Sequence, residues 1–206
     1  MYYANGVRRA FLLLVIAACA RAGAETREKP GDLVDVSAVI PDAIIDIRYA
    51  TTDNFTKQQL YPKAVCKLRR AVAARLARAA KALRAQDRRL LIWDCYRPTS
   101  IQEALWKRVP DERYVANPKQ GSRHSRGAAV DVGLVDKDGK PVVLPTAYDD
   151  FSVAAHRKRA LLGDKGAEAR RLERAMKFAG FIGMPTEWWH FDAPDAAKYP
   201  LSNEPL

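Results

Sequence analysis

Apolar positions along the chain fall into one long helical stripe, two shorter ones and several compact runs. The longest stripe is Val65, Leu68, Val72, Leu76, Ala79, Ala80 and Leu83, with arginines between them. That spacing predicts an amphipathic helix over 64–86. RLLIWD at 89–94 is a compact apolar run that suits a buried strand. Pro98 opens a second helix, which ends near Arg108, before Pro110; Ser100 and Glu103 have capping-box spacing. AAVDVGLV at 128–135 predicts a strand, Asp138-Gly139 a turn, and 141–144 the start of a hairpin partner. A third helix is expected over 166–179, with Leu172, Ala175, Met176 and Ala179 inward. EWWHF at 187–191 reads as a short aromatic strand. Residues 36–49 fit one or two short strands around Pro41, whereas 51–62 and 117–127 read as loops and 25–35 as a polar linker. Strands and helices do not alternate regularly. The expected class is therefore α+β: a small, mainly antiparallel sheet flanked by helices, formed as one domain over 36–206.

The first 24 residues lie outside that pattern. Arg8 and Arg9 precede an uncharged apolar run over 10–20, and Ala22-Gly23-Ala24 is a small-x-small cleavage site. This is the pattern of a secretory signal peptide, and it predicts an exported, periplasmic protein. The run is too short for a bilayer span, which needs about 20 apolar residues. Ile16-Ala17-Ala18-Cys19 also fits a lipoprotein signal, so membrane attachment is expected only if Cys19 is lipidated. Of the three cysteines, Cys66 and Cys95 remain after export. An even pair in an oxidising compartment predicts a disulfide, with two separate buried thiols as the alternative. The formal charge of +11 is concentrated on the arginine-rich helix. With no nucleic-acid motif beside it, that charge reads as a solvated face, so neither a nucleic acid nor a stable protein partner is predicted.

The candidate chemistry is carried by two of the three histidines. His124 lies in GSRHSRGAAVD, seven residues before Asp131, and His190 lies in EWWHF, three residues after Glu187. Two imidazoles and one carboxylate satisfy a catalytic zinc ion while keeping a position for water. A nearby carboxylate must then take the proton of that water and pass it to the leaving amine, and Glu187 is the candidate. On an ideal strand residues three apart point to opposite faces, so Glu187 must sit at the strand's start or on a bend. HxxxxxxD also spans two helical turns, but Gly127, Val130 and Val132 favour a strand. Trp188 and Trp189 read as core and pocket wall, and His156 as a surface histidine.

SRHSRGAAVD resembles the SxHxxGxAxD motif of LAS-type zinc peptidases, and EWWH resembles their second ligand motif. RYATTDNFT, YPKAVCKLR and WDCYRP make the sequence most similar to the D-alanyl-D-alanine dipeptidases, a group that includes vancomycin-resistance enzymes. The resemblance runs from about residue 34 to 200. It implies a LAS/hedgehog-like fold with one Zn²⁺ on His124, Asp131 and His190, and Glu187 as base and acid. It further implies that Arg97 stabilises the oxyanion, and that Tyr49, Ser122 and Asp149 bind the charged ends of the dipeptide. LPTAYDD lacks the Met-Gly-Thr that often precedes the family's Phe-Asp, which leaves Asp150 as an alternative to Asp149. The implied reaction is hydrolysis of D-Ala-D-Ala in cell-wall fragment turnover; the alternative is a D,D-carboxypeptidase acting on peptidoglycan stems.

Overall fold

The computed structural model describes residues 31–206, together with 1, 2 and 29. The signal-peptide segment and most of the linker therefore lie outside the described residues. Strand β1 (Leu33–Asp35) leads into a single turn of helix, α1 (Val36–Val39), which is capped by the Asp35 side chain accepting from Ser37 N–H. Strand β2 (Ile44–Ile45) and a 3₁₀ turn at Arg48–Ala50 follow. Strand β3 (Lys67–Arg69) runs directly into helix α2 (Arg70–Arg84), and β4 (Arg88–Asp94) precedes α3 (Thr99–Arg108). The remaining elements are β5 (Ala129–Asp136), α4 (Arg157–Ala160), α5 (Ala167–Phe178), β6 (Ile182–Gly183) and β7 (His190–Asp192).

Five strands form the main sheet in the order β2-β4-β5-β7-β6. Only β2 and β4 pair in parallel; the other pairings are antiparallel, as is the separate β1-β3 ribbon. The expected α+β class with a small, mainly antiparallel sheet is what the chain adopts. The centre is β5, buried from Ala129 to Val135, which is why its sequence is almost continuously apolar. Gly133 in this strand makes room for the Trp93 ring, into which any Cβ would run. Helix α2 lays Val72, Ala73, Leu76, Ala79, Ala80 and Leu83 against β4 and α5, and α5 answers with Ala169, Leu172, Ala175 and Met176. Leu76 is fully buried in this layer. Leu76→Ala is expected to cost about 2–5 kcal/mol of unfolding free energy, read by urea or thermal denaturation.

Several elements differ from the sequence expectation. The long helix begins at Arg70, because residues 67–69 are held extended by pairing with β1. Buried Arg69 fixes that path by donating to the carbonyls of Gly31, Arg126 and Pro200. The linker correspondingly ends before Leu33, and residues 36–49 contain a helical turn where a strand was expected. Helix α3 begins at Thr99 without a side-chain cap, so Ser100 and Glu103 form no capping box; the Ser100 N–H is taken by Asn203 Oδ1 instead. The Asp138-Gly139 turn forms, with Asp136 Oδ1 accepting from Asp138 and Lys140 N–H, but beyond it only Pro141 bridges to Val135. The aromatic strand is shorter than EWWHF and starts at His190. Cys66 and Cys95 lie at bonding distance, with Cα atoms 5.3 Å apart. Among the described residues, no helix is long and apolar enough to cross a membrane.

Candidate active site

Strand register builds the site. Asp94 on β4 is opposite Asp131 on β5, and Asp131 is opposite His190 on β7. Residues directly opposite on paired strands project from the same face, so three adjacent strands put two carboxylates and an imidazole in one row. His124 arrives from the 3₁₀ turn His124–Arg126, which Gly127 ends at φ 66°, a left-handed conformation that glycine adopts without steric cost. Glu187 sits in the bend before β7 and is not paired as a strand residue. That bend removes the conflict expected of residues three apart on a strand: Glu187 Oε2 lies 3.9 Å from His190 Nδ1.

His124 Nε2, His190 Nδ1 and Asp131 Oδ1 form a triangle. The separations are 3.2 Å between the histidines, 3.4 Å from His124 to Asp131 and 3.0 Å from His190 to Asp131. A tetrahedral ion with bonds of about 2.0–2.2 Å holds its ligands roughly 3.3–3.6 Å apart, so the triangle is slightly tighter than such an ion requires and small side-chain shifts would admit one. Hydrogen bonds behind the triangle orient its members. His124 Nδ1–H donates to the Cys95 carbonyl at 2.7 Å, and His190 Nε2–H donates to Asp192 Oδ1 at 2.9 Å. The Tyr148 hydroxyl donates to Asp131 Oδ2 at 2.9 Å. Each of these bonds leaves a lone pair on the atom facing the triangle. Three buried acceptors facing one another need a cation between them.

The titration behaviour expresses the same demand. Burial alone would lower His190, yet Asp131 and Asp192 raise it to about 10, the direction expected of an imidazole beside two carboxylates that favour positive charge. Burial works against ionised Asp131, but the two imidazoles hold its carboxyl far below the usual range. Glu187 is pushed up to about 7, chiefly by burial and against the pull of His190. Burial, reinforced by Asp131 and Glu187, also drives Asp149 well above the ordinary carboxylate range. The cavity thus gathers the carboxyl groups of Asp131, Asp149 and Glu187, which suits both a metal ion and an ammonium group.

The same cavity is lined by Tyr49, Arg97, Ser122 and Asp149. Arg97 is buried, with its Nε and Nη2 on Asp94 Oδ2 at 3.0 and 2.5 Å and its Nη1 on Gln102 Oε1 at 2.8 Å. Asp94 is itself fully buried and also accepts from the Tyr61 hydroxyl at 2.7 Å and from Cys95 N–H at 2.9 Å. The guanidinium lies over the Tyr49 ring, 5.2 Å from its centroid. The Tyr49 hydroxyl reaches Asp149 Oδ2 at 3.3 Å, and Ser122 Oγ accepts from His124 N–H at 3.2 Å. Asp149 is in the cavity, whereas Asp150 turns away and accepts from Ser152 N–H. Phe55, Phe151 and Tyr114 wall another side, with ring centroids 5.2 Å apart for the first pair and 4.6 Å for the second. Trp188 and Trp189 are buried, as expected of core residues. His156 is half-buried at the start of α4 and does not line the cavity.

Sequence reasoning missed Asp94, Tyr148 and Asp192. Asp192 carried a usable signal, because residues two apart on a strand share a face and His190-Phe191-Asp192 is β7. Tyr148, within AYDD, carried none.

A metal-binding triangle, a carboxylate near neutrality and a buried arginine in one cavity define a metal-dependent hydrolase. The family model described as D-ala-D-ala dipeptidase matches residues 29–204, and the chain belongs to that family of metallopeptidases. A D-alanyl-D-alanine dipeptidase of Escherichia coli (strain K12) is 36% identical over 171 residues, covering 82% of this chain and 89% of that protein. One from Enterococcus faecalis (strain ATCC 700802 / V583) is 31% identical over 172 residues, covering 73% and 85%. A third, from Enterococcus faecium, is 29% identical over 179 residues, covering 76% and 88%.

Proposed function

We propose that this chain is a zinc-dependent dipeptidase that splits D-alanyl-D-alanine into two D-alanines outside the cytoplasm, in the turnover of cell-wall fragments. The observation that carries the reading is the triangle of His124 Nε2, Asp131 Oδ1 and His190 Nδ1 in the cavity that also holds Glu187 and Arg97. Those three residues would hold one zinc ion. When bound, zinc acidifies water and polarises a carbonyl.

Glu187 takes the proton of the attacking water and returns it to the leaving amine; its position near neutrality suits both transfers. Arg97 presents a fixed positive charge to the oxygen that becomes negative during attack, and Asp94 and Gln102 keep the guanidinium from swinging away. Asp149 pairs with the ammonium of the dipeptide, which draws its own carboxyl back towards the ionised form. A longer chain has an acylated nitrogen there and offers Asp149 no charge. Tyr49 supports Asp149, and Ser122 serves the other end of the dipeptide. Two features support export: the charge-then-apolar pattern of residues 1–24 and the pairing of Cys66 with Cys95 as a disulfide.

Purified protein carrying one equivalent of zinc is expected to release D-alanine from free D-Ala-D-Ala and to leave a pentapeptide stem intact. Comparable cleavage of the pentapeptide would replace this reading with a D,D-carboxypeptidase. Absence of cleavage of either substrate by the zinc-loaded protein would remove the peptidase reading altogether.

A further inference from the structure

We propose that Arg157, a residue with no place in the chemistry above, positions this active site by clamping the backbone bend that carries Glu187 and His190. Residues 184–189 lie between β6 and β7 and belong to neither strand, yet this bend must deliver a ligand and a base to one point. One side chain spans it. Arg157 Nη2 donates to the carbonyls of Glu187 at 2.9 Å and His190 at 2.7 Å, and Nε donates to the carbonyl of Met184 at 2.9 Å. Its backbone N–H takes the Pro185 carbonyl at 2.9 Å. A single residue thus fixes four carbonyls within 184–190.

The guanidinium is fixed in turn. It is ion-paired through Nη1 to buried Glu173 on α5 and lies over the Phe191 ring, 4.4 Å from its centroid. Gly183 lies directly against it: a Cβ there would overlap Arg157 Cζ. The planar fork suits this task because its N–H groups diverge in fixed directions; an ammonium has the charge without the fork. Held carbonyls set the backbone of Glu187 and His190, and the backbone sets where their side chains point. Partners standing behind the groups that touch a metal typically change its affinity or the activity by about 10- to 100-fold.

The proposal rests on the dipeptidase reading, and two readouts separate them: zinc affinity by competition with a chromophoric chelator, and kcat with KM on D-Ala-D-Ala. Arg157→Lys, measured well below its Tm, is expected to weaken zinc binding and lower kcat by about 10- to 100-fold each, with KM close to wild type. Gly183→Ala displaces the guanidinium without removing it and is expected to show the same pair of losses; it also serves if Arg157→Lys fails to fold. Glu173→Gln removes the buried ion pair but keeps an acceptor for Nη1 and leaves the four carbonyl contacts, so it is expected to lower Tm with losses of zinc affinity and kcat well below those of Arg157→Lys. Wild-type zinc affinity and kcat in folded Arg157→Lys or Gly183→Ala would overturn the proposal. So would losses in Glu173→Gln as large as those in Arg157→Lys, which would make the role one of stability alone. Wild-type protein that binds zinc but leaves D-Ala-D-Ala intact removes the dipeptidase reading, and the zinc competition still decides the role of Arg157.

Discussion

Glu187→Gln is expected to lower kcat on D-Ala-D-Ala by about 10²–10⁴-fold while bound zinc stays at one equivalent. The amide has nearly the shape of the carboxylate, so the bend before β7 and the cavity wall persist. What disappears is the ability to accept a proton from water and return it to the amine. Position and protonation both favour Glu187 for the role proposed above. It is buried, 3.9 Å from the imidazole of His190, and its carboxyl titrates near neutrality because burial disfavours the charge. Asp149 has a different partner, accepting from the Tyr49 hydroxyl, and shows no contact with either histidine of the triangle. KM should move little, because no substrate contact is assigned to Glu187. The measurement is steady-state kinetics beside metal analysis of the same sample. Turnover within a few-fold of wild type would mean that another group moves the proton.

Arg97→Lys is the second large effect, a loss of about 10²–10³-fold in kcat, the scale of removing one preorganised donor to a developing oxyanion. Lysine keeps the charge, so buried Asp94 is not stranded and the fold survives. It cannot reproduce three simultaneous bonds, two to Asp94 and one to Gln102, while still facing the cavity. Truncation to Arg97→Met is a harsher experiment with a different meaning. Breaking a buried ion pair by removing one partner costs about 3–5 kcal/mol, and lost activity would then be confused with unfolding. The lysine variant is therefore the informative one: zinc content and Tm near wild type, with kcat depressed. An unchanged kcat would return Arg97 to the role of structural partner to Asp94.

The groups pointing into the cavity were legible in the sequence, and the groups behind them were not. His124, Asp131, Glu187 and His190 come from motifs in which residue type and spacing carry the chemistry, Arg97 comes from the family resemblance, and the structure gathers all five. The partners that aim them leave a weaker trace. The Cys95 carbonyl that holds His124 is backbone, so no residue choice records it. Arg157 acts on four carbonyls and reads in sequence as one more cation in a basic run. The fold shows the same division. Helix α2 was visible because its burial pattern is local and periodic, and strands β4 and β5 because they are compact, largely buried runs. The start of α2 was misplaced because its apolar stripe continues smoothly into β3, and only pairing with β1, some thirty residues away, makes that stretch extended. Ser100 and Glu103 had the right spacing for a cap, but Asn203, from the far end of the chain, supplies the bond instead.

The Cys66–Cys95 link joins the segment leading into β3 to the segment following β4, and Cys95 is the residue whose carbonyl orients His124. Under the zinc-dependent reading proposed above, thiol oxidation and zinc acquisition would be two stages of one maturation. Protein made without an oxidant carries the whole ligand set on a slacker support and should lose its zinc to scavengers sooner than oxidised protein does. Recombinant material recovered from a reducing cytosol would then understate the enzyme, for a reason that lies in the backbone two residues before Arg97.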